Sequence, residues 1–193
     1  MSTAYPGPLR DEPLALELHN TLYAARGELT DGLETATGLS SWLAAIADRL
    51  PEPGRDADAS RHREFLDLRG AVRDALHAGL DGKRVPAAAL EVLNGAAARA
   101  PASQRAVARP SGQLQAEPRF HTADATDVAL ATIAADAIEL LTGPDRERLR
   151  ACGAAGCVLM FLKEHARRTW CSDVCGNRVR QARHYERTRQ ARR

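Results

Sequence analysis

The sequence predicts a mainly α protein of the α+β kind: a helical N-terminal domain with one small β-hairpin, followed by a cysteine-bearing C-terminal module. Three observations predict it. Apolar residues recur at helical spacing in several stretches before residue 143. A single strand–turn–strand pattern interrupts them between residues 103 and 122. All four cysteines fall in the last fifty residues, in two close pairs.

In Leu14–Arg26 the positions Leu14, Leu18, Leu22 and Ala25 mark the first helix. Ser40 or Ser41 caps a second that carries Trp42, Leu43, Ile46 and Leu50 and stops at Pro51. Pro51–Ala59, rich in Pro, Gly and Asp, reads as an exposed linker. Ser60–Leu80 sets Phe65, Leu68, Val72, Ala75 and Leu76 on one helical face, and Asp81-Gly82 breaks it. Pro86 opens a helix running to about Arg99. Gln104–Arg109 and Gln113–Phe120 flank Ser111-Gly112 as a hairpin. Thr126 or Asp127 begins an alanine-rich helix through Leu141, ended by Gly143-Pro144. The expected division is therefore a body over 1–143 and a module over 144–193.

The chain has 193 residues, 44% apolar and 27% charged, as in soluble globular proteins. No apolar run approaches the length of a membrane span. Met1–Arg10 has neither the basic start nor the apolar stretch of a secretory signal, so the expected compartment is the cytoplasm, where thiols stay reduced. The net charge of +2 conceals an asymmetry. From Pro144 onward, twelve arginines and Lys163 face five carboxylates, a charge of +8, which leaves −6 for the body. Such a basic tail suits a polyanionic partner.

The cysteines follow C-x4-C-x13-C-x3-C: Cys152, Cys157, Cys171 and Cys175. Thiolates are soft ligands, and four of them suit one tetrahedral zinc ion. Two glycines between Cys152 and Cys157 allow a tight knuckle. Val158–Leu162 reads as a strand with Thr169-Trp170 returning as its partner. Ser172 caps a helix that begins at Asp173 and places Cys175 in its first turn. Knuckle, hairpin and helix in this order make a treble-clef-like zinc finger whose metal is structural, since no ligand position is spare. Buried free thiols, two disulfides or an iron–sulfur cluster are the alternatives.

From Asp173 to about Gln190 no proline interrupts the helix. At 100° per residue, Cys175, Val179, Ala182 and Glu186 face the finger, while Arg180, Arg183, His184 and Arg187 form an outer stripe. A row of guanidiniums can contact phosphates or enter a major groove. The blander reading is a solvated helix followed by a disordered basic end, Arg189–Arg193.

Trp170–Arg178, with the tetrad Cys175-Gly176-Asn177-Arg178, resembles the CGNR zinc-finger family of bacterial proteins, and Cys152-x4-Cys157 before an apolar run also fits. Leu16–Thr21 is similar to the acidic-then-Asn-Thr motif of that family's N-terminal ABATE domain, with Asp31 and Trp42-Leu43 at similar places. The resemblance implies one zinc ion and a stress-induced transcriptional regulator. Where the family hairpin carries Asp-x-Ser, this chain has Lys163-Glu164-His165.

The first expectation is accordingly a DNA-binding regulator, not an enzyme, with a body that senses a signal or mediates assembly. Asn177 is expected to hydrogen-bond around the metal, Arg178 either to do so or to contact DNA directly, and His19 and Asn20 to line a pocket for a small-molecule effector. Regulators of this kind are often homodimers. The alternatives are a zinc-stabilised protein-interaction module without direct DNA contact and, more weakly, a body that is itself a small-molecule enzyme.

Overall fold

The computed structural model describes residues 4–25 and 27–191. Arg26, at the end of the first expected helix, and Met1–Thr3, Arg192 and Arg193 at the ends lie outside the described residues.

Helix α1 (Leu14–His19) is short and buried along its whole length. It stops seven residues earlier than the expected end at Arg26. Thr21 Oγ1 donates to Leu18 O, and the Asn20 side chain is engaged elsewhere, so polar side chains compete with the helical ladder. The chain turns instead into a hairpin of β1 (Leu22–Ala25) and β2 (Glu28–Asp31), with Gly27 at φ 90° in its turn.

Helix α2 (Ala36–Ile46) is capped by Thr35, whose hydroxyl accepts from Gly38 N, not by Ser40 or Ser41. Gly38 passes so close to Gly32 O that a Cβ there would clash. The expected linker after Pro51 is exposed at Glu52, Arg55, Asp56 and Asp58, but it is also anchored on the body. Gly54 is buried against Val128 and Ala129, and Asp58 N donates to Thr126 Oγ1. Helices α3 (His62–Leu80) and α4 (Ala87–Ala97) follow as the periodicity predicts. So does the hairpin of β3 (Ala102–Ala108) and β4 (Leu114–Phe120), largely exposed.

Helix α5 (Ala125–Thr142), capped by Asp124, packs against α1, α3 and α4. Its alanines let these helices approach closely, and Trp42, Phe65 and the α1 leucines fill the rest of the core. A third hairpin, β5 (Leu149–Ala151) with β6 (Met160–Leu162), sends Leu149, Met160 and Leu162 into that same core. Helix α6 (Asp173–Ala191) ends the described chain. Among the described residues, no helix is long and apolar enough to cross a membrane.

Candidate metal centre and its basic helix

The cysteines converge from two elements. β5 and β6 are joined by the knuckle, so Cys152 and Cys157 sit at the hairpin's tip, where Cys152 N donates to Leu159 O and Cys157 N to Ala154 O. Gly156 supplies the left-handed turn at φ 73°. Cys171 and Cys175 flank the start of α6, where the Ser172 hydroxyl accepts from Cys175 N at 3.4 Å, the expected cap.

All four sulfurs lie within 4.8 Å of one another. Cys157 and Cys171 are 3.8 Å apart, Cys171 and Cys175 3.6 Å. Four sulfurs at about 2.3 Å from one ion stand about 3.8 Å apart along a tetrahedron's edges. These separations fit zinc and are far too long for a disulfide. The charge chemistry agrees. Hydrogen bonds from the Cys157 and Cys171 thiols hold Cys152 far below the ordinary thiol range, and those two are pushed up in turn, Cys157 to about 11. So close together, the four sulfurs could all be thiolates at once only with a cation among them.

Trp170 is wedged between Gly153 and Gly176, and a Cβ at Gly176 would stand 2.9 Å from its ring. Cys171 N donates to Cys152 Sγ at 3.5 Å, and Arg178 Nη2 reaches Cys175 Sγ at 3.7 Å. Asn177 differs from expectation: it is exposed, and its Oδ1 accepts from Arg180, away from the sulfurs.

The expected pairing of Val158–Leu162 with Thr169-Trp170 is replaced by β5–β6, for a reason visible in the register. Residues 148, 150 and 152 bond to 163, 161 and 159, so the amides of Met160 and Leu162 point away from β5. That outer edge is filled by Asn20 and Glu12 of the body together with Arg168 of the finger. Asn20 Nδ2 donates to Met160 O and Asn20 Oδ1 accepts from Met160 N, both at 2.9 Å, so one side-chain amide stands in for a neighbouring strand. Glu12 accepts from Leu162 N at 2.9 Å. Arg168 donates to Leu162 O, pairs with Glu12 at 2.5 Å and lies over the Phe161 ring.

His19 and Asn20 are therefore no effector pocket. Both are fully buried, and they latch the body to the finger. Burial first, then the nearby Arg73 guanidinium, lowers His19 to about 3, so its ring is neutral, and its Nδ1–H is placed to donate to Asn20 Oδ1 at 3.0 Å. Beside them Asp31 pairs with the buried Arg69, which also donates to Thr21 Oγ1. Glu12, Arg69 and Arg168 escape any reading of the sequence, because neither periodicity nor spacing marks long-range partners.

With this arrangement in place, the comparison with known families is decisive. A model described as "putative stress-induced transcription regulator", ABATE, matches residues 12–144. The chain belongs to the ABATE family. A CGNR zinc-finger model matches residues 148–188, so the chain carries a finger with a site for one zinc ion. No curated protein matches the chain. The ABATE match covers Glu12, His19 and Asn20, and the CGNR match covers Met160, Leu162 and Arg168, so the latch joins the two matched regions.

Of the stripe residues, Arg180, Arg183, His184 and Arg187 are all exposed. The opposite face, expected to pack on the finger, does not: Ala182 and Glu186 are exposed too, and Val179 is the last residue to touch the finger's small core. The physical reason is that the finger is too small to cover more than two turns of helix.

Proposed function

We propose that this ABATE protein is a zinc-dependent DNA-binding regulator of the cytoplasm, in which α6 contacts duplex DNA. The body, 1–143, senses or assembles, and the finger, 144–193, carries the helix. The observation that supports it best is that α6 beyond Val179 stands clear of the acidic body. Arg183 and Arg187 are both exposed on that stretch. A protein at −6 elsewhere that leaves such a helix uncovered favours polyanion contact, through phosphates first and base edges second.

The test is fluorescence anisotropy of the zinc-loaded protein with labelled duplexes across salt concentrations. Each lost phosphate contact should reduce the slope of log K against log salt by about 0.9. Arg183→Ala and Arg187→Ala should each do so for random and upstream DNA alike. An unchanged slope in both variants removes α6 from the footprint. A second reading, a finger that docks a protein, is favoured by the exposed Val174 and Tyr185 on the same helix. Absence of DNA binding at low salt would put that reading first.

A further inference from the structure

Where the N-terminal arm, β1 and the finger meet, the structure leaves an open cleft of about 470 Å³. That lies within the roughly 300–1,000 Å³ typical of small-molecule sites, at a junction of the kind such sites favour. One wall is the arm from Pro6 to Arg10, a second is Tyr23–Ala25, and the third is the finger with Leu159, Val174 and Arg178. Among the described residues no carboxylate lines it, although Cys157 and Cys175 of the metal site do. Of the described residues, Arg10 and Arg178 also line it, one guanidinium on the arm and one on the finger. Among the described residues, Arg178 Nη2 donates to the Cys175 sulfur and the buried Arg10 Nε has no hydrogen-bond partner. Ala24 adds a backbone group. Gly32 N bonds to Thr21 O, so the alternation of the β1–β2 ladder turns the Ala24 N–H and C=O away from β2. The apolar part of the lining includes Leu9 and Val174, which are 37% and 72% exposed, together with Leu159.

We propose that this cleft binds a small organic monoanion, its charged group held between Arg10 and Arg178 and its apolar body laid against Leu9, Leu159 and Val174. The charge at the site selects the class. Zinc with four thiolates carries −2, which the two guanidiniums offset. Among the described residues there is therefore no strong positive field to hold a nucleotide or polyphosphate, and a single negative charge with an apolar remainder is the better match. Occupancy would be felt at the metal and at the start of α6 through Arg178. That consequence rests on the DNA reading, whereas binding itself does not.

The test uses 8-anilinonaphthalene-1-sulfonate as the probe with the zinc-loaded full chain, without DNA. Its fluorescence should rise to saturation at one molecule per chain. Val174 is largely exposed, so Val174→Lys and Val174→Asp should leave fold and zinc content intact while moving the affinity in opposite directions, tighter for Lys and weaker for Asp. Arg10→Gln should weaken binding about tenfold or more, the loss of one charge-assisted hydrogen bond. Uncharged N-phenyl-1-naphthylamine should bind far less well. Equal affinity in the two Val174 variants, or equal binding of the uncharged analogue, would overturn the proposal even if α6 binds DNA as described.

Discussion

Replacing Asn20 by alanine tests the latch between body and finger most directly. The side chain is fully buried and satisfies both the N–H and the C=O of Met160 at 2.9 Å. Truncation leaves two backbone groups in a dry interior with no strand beside them. An orphaned buried polar group costs about 1–3 kcal/mol, so the pair should cost about 2–5 kcal/mol once slight relaxation is allowed. That is a large part of the roughly 5–15 kcal/mol that holds a domain folded. At about 2–4 °C per kcal/mol for a chain of this size, Tm should fall by about 5–15 °C. Because the lost bonds hold β6, the finger should suffer with the body. The assay is therefore a thermal melt paired with the rate at which a chromogenic chelator extracts zinc. Asn20→Asp should be at least as damaging, since it sets a carboxylate against Met160 O. A change below about 2 °C with unaltered zinc extraction would refute the idea that Asn20 replaces a strand.

Removal of zinc by a strong chelator should lower the melting temperature of the whole protein as well as melting α6, because Leu149, Met160 and Leu162 complete the body's core; a body transition that ignores the chelator would show the two parts to be uncoupled. His19 should make stability acid-sensitive. Its folded value near 3 lies below the ordinary 6.5, so from about pH 6.5 downward the unfolded state alone takes up the proton, and stability falls by up to about 1.4 kcal/mol per pH unit. Urea unfolding of wild type and His19→Gln at pH 7, 6 and 5 checks this, and parallel pH profiles would count against it. Gly176→Ala forces a methyl against the Trp170 ring at 2.9 Å, and overpacking of this kind costs about 1–3 kcal/mol. Weaker zinc retention in a competition titration is the expected sign, and retention equal to wild type would mean that Trp170 yields freely.

Much of this molecule is written locally. Helices α3, α4 and α5 follow from apolar spacing and punctuating Pro and Gly residues, and the β3–β4 hairpin from its turn at Gly112. The four-thiolate site is legible because its two knuckles are short-range patterns of small residues and cysteines. The errors share one cause. Leu14, Leu18, Leu22 and Ala25 fit a helix as well as they fit a short helix and a strand, and only the engagement of Asn20 with Met160, 140 positions away, decides between them. In the same way, nothing near Val158–Leu162 says which segment pairs with it. The outer edge of β6 is taken by Asn20, Glu12 and Arg168, and that is knowable only once the chain is folded. The sequence by itself thus determined helices α3, α4 and α5, the metal and the basic character of the last helix, because periodicity, ligand spacing and charge are properties of neighbours. The tertiary structure alone decided that the supposed effector residues are a buried latch, that the open cleft lies beside the metal, and that α6 stands free. Those depend on which distant groups remain to satisfy each buried donor and acceptor.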